Sequence, residues 1–132
     1  EGKMINFTAT DDSHFYLPDY GGGWVMVAAS ELSEDTIVAA LKEGMHYSST
    51  GAILFDMSLE NSILTVWTSP VHSIVLSGAG HLSAARCEEN MTIAEFDLSN
   101  FMSPWFRVTI CDSTGKMAWS NPYHKSKISS WF

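Results

Sequence analysis

Ile63-Leu64-Thr65-Val66-Trp67-Thr68-Ser69-Pro70-Val71-His72-Ser73-Ile74-Val75-Leu76 decides the fold class. Its first five residues are rich in β formers and alternate well enough to predict a strand with one buried face. Ser69-Pro70 then reads as a turn, because proline has no amide hydrogen to give to a ladder. Ser73 to Leu76 reads as the next strand. The same grammar extends in both directions, with strand-like runs at Ile53 to Leu59, Leu82 to Arg86, Thr92 to Leu98, Phe106 to Cys111 and Lys116 to Trp119. Between them stand Glu60-Asn61, Gly78-Ala79-Gly80, Glu88-Glu89-Asn90, Ser103-Pro104 and Ser113-Thr114-Gly115, all turn-forming in composition. Short strands joined this closely predict an antiparallel β-sandwich or a rolled sheet.

The first 50 residues obey other rules. Met4 to Thr10 reads as a strand that runs directly into Asp11-Asp12-Ser13-His14. Pro18, Asp19 and Gly21-Gly22-Gly23 mark a loop, and Trp24 to Ala28 is a compact apolar strand. The glycine run is no phosphate loop, since no G-K-[ST] follows and a strand rather than a helix comes next. A helix is predicted from Ser33 to Glu43. Ser33 caps it, Glu34 and Asp35 suit its positive end, Ile37, Val38, Ala40 and Leu41 form its apolar face, and Gly44 stops it. Ser48-Ser49-Thr50-Gly51 reads as turn chemistry. Strand, loop, strand, helix is α/β grammar, so the chain divides into residues 1–50, an α/β piece, and residues 51–132, a β-rich domain. A lone α/β unit cannot cover both faces of its strands, so this piece is expected to belong to something larger, or to self-associate as a homodimer.

Composition narrows the function classes. Acidic residues outnumber basic ones 15 to 7 and the formal net charge is −8, a field that repels phosphate backbones. Lys116, Lys125, Lys127, Arg86 and Arg107 form no evident patch, so broad nucleic-acid binding is not expected. Trp24 to Ala29, the densest apolar run, is far short of the roughly 20 residues a membrane helix needs. The opening Glu1-Gly2-Lys3 has no signal-peptide pattern. Cys87 and Cys111 form neither C-x-x-C nor a zinc-finger spacing; a disulfide between them is open but not demanded, and small buried thiols in a reducing, cytoplasmic setting fit best.

Asp12-x-His14 is the candidate site. A carboxylate and an imidazole two residues apart point the same way if the chain is extended, which suits two ligands of a divalent-metal site. Asp11 beside them can orient an imidazole or hold the loop. His46, His72, His81 and His124 show no ligand spacing and read as surface or packing residues. Asp56, Glu60, Glu95 and Asp97 read as the wet face of strands. No Ser-His-Asp or Cys-His arrangement can be proposed. Trp67, Trp105, Trp119 and Trp131 offer either core packing or an aromatic binding platform.

Three segments together resemble one family. Thr8-Ala9-Thr10-Asp11-Asp12-Ser13-His14 looks like the last metal-ligand motif of PHP (polymerase and histidinol phosphatase) phosphoesterases, in which D-x-H ends a barrel strand. Gly22 to Val27 with the helix and Gly44-Met45-His46-Tyr47-Ser48-Ser49-Thr50-Gly51 is similar to the segment that closes the barrel. Asp112 to Pro122 looks like a terminal β-hairpin of bacterial members. The resemblance implies that residues 1–50 are the last strand-helix unit of an incomplete PHP barrel. It further implies that Asp12 and His14 ligate zinc, manganese or iron in the intact enzyme, that the substrate is a phosphorylated small molecule or nucleotide, and that this part by itself is inactive. The early H-x-H and the other ligands of such enzymes are not in this sequence. The rival expectation is a non-catalytic β-sandwich module for binding or oligomerisation.

Overall fold

The structure, a computed structural model, describes residues 3–126. Trp131 and Lys127 therefore lie outside the described residues. Among the described residues eight strands and one helix follow in order: β1 (Trp24–Val27), α1 (Glu34–Glu43), β2 (His46–Ser49), β3 (Leu54–Glu60), β4 (Ile63–Ser77), β5 (Ser83–Asp97), β6 (Trp105–Cys111), β7 (Met117–Ser120) and β8 (Tyr123–His124). All strand pairs are antiparallel, in the order β1-β2-β7-β6-β4-β3, with β5 also on β4 and β8 on β6. The sheet curls into a half-barrel, which makes the rolled sheet, and not the two-layer sandwich, the observed form of the expected mainly-β fold.

β4 organises the sheet. Its first half, Ile63 to Thr68, lies between β3 and β5, and its second half, Ser73 to Ser77, between β5 and β6. The predicted break at Ser69-Pro70 is not a turn: β4 passes through it as one 15-residue strand. The register against β5 shifts there, with Trp67 opposite Ile93, Val71 opposite Met91 and Ser73 opposite Cys87. Proline is accommodated because it falls in this irregular stretch, where a ladder hydrogen bond is not required of it. Glu88-Glu89-Asn90 is the matching bend on β5, where Asn90 takes φ 54°.

Local chemistry explains the connections. Asn61 (φ 49°) and Ser62 (φ 67°) form the two-residue turn between β3 and β4, with both central residues left-handed as such hairpins require. Asp112 Oδ1 accepts from the Thr114 and Lys116 amides and the Thr114 hydroxyl, closing the β6–β7 turn. α1 begins where expected, with Ser33 Oγ accepting from the Thr36 amide at 3.4 Å, and stops at Gly44 in the left-handed region (φ 77°).

The core lies on the inner face of the curl. Leu54, Met57, Leu64, Val66, Ile74, Leu76, Phe106, Val108, Ile110 and Ala118 are buried there together, at every second position along each half of β4 and along β6, and three apart on β3, where the register shifts between Leu54 and Asp56. β1 and β2 belong to the same hydrogen-bonded sheet as β7 and β6, so the sheet runs across position 50. Cys87 and Cys111 are both free and flank Ser73 from opposite sides. Two strand spacings, about 9.5 Å, exceed disulfide reach, so that option is closed.

Two expectations on the N-terminal side change. Met4 to Thr10 pairs with no strand. The backbone groups of Phe7 are taken by side chains instead: its amide donates to Asn121 Oδ1 at 3.3 Å, and its carbonyl lies 3.2 Å from His46 Nε2 and accepts from Ser48 Oγ at 3.4 Å. For the same reason Ser48-Ser49, read with Thr50-Gly51 as turn chemistry, belongs with His46 and Tyr47 to a fully buried strand: its polar side chains find partners in the fold. No helix among the described residues is long and apolar enough to cross a membrane.

Candidate functional site

The chain leaves Thr10, passes through an exposed loop and returns at Gly21 to enter β1. The loop has a closed neck. Asp11 Oδ2 accepts from the Gly21 amide, and Gly23 lies so near the Thr10 carbonyl that a Cβ at that glycine would sit 3.2 Å from the oxygen. A glycine suits the return because the two chain segments approach backbone to backbone.

Asp12 and His14 both lie exposed within this loop. They do not end a ladder strand, and Asp12 adopts φ 50°, a left-handed conformation that aspartate tolerates better than most residues. The extended D-x-H geometry expected from the sequence is thus replaced by a turn. His14 is bound twice by Asp19: its amide donates to Oδ1 at 2.8 Å, and its Nδ1 lies 2.7 Å from Oδ2. The carboxylate can only accept, so Nδ1 carries the hydrogen. Nε2 is left without a partner among the described residues. The hydrogen bonds from His14, the backbone one first, hold the Asp19 carboxyl below the usual carboxylate range.

An imidazole whose Nδ1–H is held by a carboxylate while Nε2 faces outward is the usual arrangement of a metal-binding histidine. Asp19 performs the orienting role that the sequence offered to Asp11, and Asp11 instead ties the loop neck. Only its place five residues after His14, following a proline, could have pointed to it. Asp12 adds an exposed carboxylate. Carboxylate and imidazole are donor types that a divalent ion takes. Among the described residues no group of three or more His, Cys, Asp or Glu is placed to hold a metal, so further ligands would have to come from elsewhere.

The other histidines lie apart. His72 Nδ1 is 2.8 Å from the Asp112 carbonyl, His124 Nδ1 is 2.8 Å from Ser126 Oγ, His81 is exposed, and His46 is buried at 2% exposure. Glu60, Glu95 and Asp97 line a shallow depression with Arg86 on the wet side of β3, β4 and β5. Trp67, Trp105 and Trp119 are each half-buried on separate strands. Around the loop, apolar side chains face outward: Phe15 is 99% exposed, Tyr16 95% and Tyr20 80%. In comparisons with known proteins no family model matches the chain, and neither a curated protein nor a solved structure matches it.

Proposed function

We propose that this chain is the C-terminal part of a PHP-like phosphoesterase in which Asp12 and His14 are two ligands of a multinuclear divalent-metal site. The observation that carries the reading is the Asp19–His14 pair. It engages Nδ1–H and leaves Nε2 unpartnered on an exposed side chain, two residues from the exposed Asp12. The D-x-H motif and its order relative to the barrel-closing and terminal-hairpin segments support the family. Bound zinc, manganese or iron would supply charge neutralisation and an acidified water for hydrolysis of a phosphorylated small molecule or nucleotide. The chain's own contribution is to hold the imidazole and carboxylate in one short turn and to brace that turn at its neck.

The exposed Phe15, Tyr16 and Tyr20 suit burial against another body, either the rest of a PHP barrel or a second copy of the chain. That observation also favours a second reading, a non-catalytic module for binding or oligomerisation. Hydrolysis separates the two. Full-length protein is expected to turn over p-nitrophenyl phosphate only with divalent metal, and Asp12→Ala to lower kcat/KM at least 100-fold, while the 132-residue chain alone is inactive. Metal-independent turnover, or full activity in Asp12→Ala, would rule the phosphoesterase reading out.

A further inference from the structure

The segment that delivers Asp12 and His14 is fastened to the sheet by side chains far away in sequence. Asn121, 1% exposed, lies just beyond β7, and His46, 2% exposed, opens β2. Asn121 Nδ2 donates to the carbonyls of Gly44 (3.1 Å) and His46 (2.9 Å), which occupies both of its hydrogens. Its Oδ1 accepts the Phe7 amide at 3.3 Å, so the amide's orientation is fixed by three partners of known sense.

The tautomer of His46 follows. Nε2 lies 3.2 Å from the Phe7 carbonyl and 3.3 Å from Asn121 Nδ2. The carbonyl can only accept and the Asn121 hydrogens are committed, so Nε2 carries the hydrogen and donates it to Phe7. Nδ1 is left as a buried acceptor without a partner among the described residues. A buried polar atom without a partner is costly, so the ring's hydrogen bonding rests on Nε2 alone. Ser48 Oγ adds a second donor to the same carbonyl, and the Arg107 guanidinium carbon lies 5.6 Å from the centre of the Phe7 ring. Both backbone groups and the ring of Phe7 are therefore engaged, three residues before the neck of the loop.

We propose that Asn121 and His46 are positioning residues that clamp the chain at Phe7 and so set where the Asp12–His14 turn stands relative to the sheet. What that turn does rests on the metal-ligand reading above; how it is held does not. Without the clamp, the neck contacts at Asp11–Gly21 and Thr10–Gly23 would still close the loop, but the segment leading into it would keep only the long Ser48 hydrogen bond and the Arg107 contact at Phe7.

The test uses Asn121→Ala and His46→Phe, the latter keeping an aromatic ring of similar size while removing the donor to Phe7. His124→Ala is the control. In the 132-residue chain, hydrogen exchange at the Phe7 amide is expected to rise at least tenfold in both variants while exchange at Val66, in the centre of the sheet, stays unchanged. The amide signals of Asp12 to Asp19 should shift as well. In full-length protein the Kd for Mn²⁺ should rise at least tenfold in both variants and not in the control. Unchanged Phe7 exchange, or equal acceleration at Phe7 and Val66, would overturn the proposal. So would Mn²⁺ affinity that His14→Ala abolishes but both clamp variants leave intact. If the exchange and signal changes occur but wild-type full-length protein takes up no metal through Asp12 and His14, the clamp stands and the metal-ligand reading is the one that fails.

Discussion

Asp19 receives two hydrogen bonds from one residue, the amide and the Nδ1–H of His14, and both favour its charged form. A carboxyl held below its unfolded value contributes loop order that is fully present above the ordinary carboxylate pKa of about 3.9 and is lost as pH falls through the lower, folded value. Through the neutral and mildly acidic range the backbone amide signals of His14 and its loop neighbours should therefore report a fixed loop. They should average toward random-coil positions only in stronger acid, and an earlier loss near pH 5 would show that Asp19 does not hold the ring. Asp19→Asn keeps the shape and loses the charge. Metal affinity of the full-length protein should fall about 10- to 100-fold, the usual effect of removing a partner behind a ligand histidine. The D-x-H pair was legible because its residue types and spacing are visible along the chain. Asp19 was not, because its role depends on a turn that brings position 19 back to position 14, with the Leu17 amide donating to the His14 carbonyl inside it, and that return is not visible in the spacing of D-x-H.

Among the elements, α1 was the most legible, since capping is local: Ser33 and Gly44 lie next to the groups they satisfy. β4 and β5 were read as two short strands each, because Pro70 and Asn90 carry the same chemistry in a bend within a long strand as in a turn between strands. β2 escaped because His-Tyr-Ser-Ser has no apolar alternation, and its burial depends on partners 41 and 39 residues away in Phe7. Gly78 shows how tightly the β4–β5 connection is packed. A Cβ there would lie 2.6 Å from the Ser103 Cβ and 2.8 Å from the Phe101 ring, and the Ser103 hydroxyl is already committed to the Ala79 amide. Gly78→Ala should cost about 1–3 kcal/mol by overpacking, read as a lower urea midpoint with unchanged slope. An unshifted midpoint would mean that the loop of Phe101 and Ser103 gives way freely.

For the whole molecule, one curled sheet carries the core on its inner face and an N-terminal segment tied down by side chains at Phe7, and beyond that segment a necked loop presents Asp12 and His14. The fold class could be read from alternation and turn residues because both are short-range signals. The joining of β1 and β2 to the rest could not, because it is a matter of long-range pairing, Tyr47 with Ser120 and Ser49 with Ala118. The central claim concerns what that architecture displays, and metal content tests it most directly. Elemental analysis of purified full-length protein should find bound zinc, manganese or iron in the wild type and in His124→Ala, and a loss of at least one equivalent in His14→Ala at unchanged thermal stability. A folded His14→Ala protein that retains its full metal content would contradict the account.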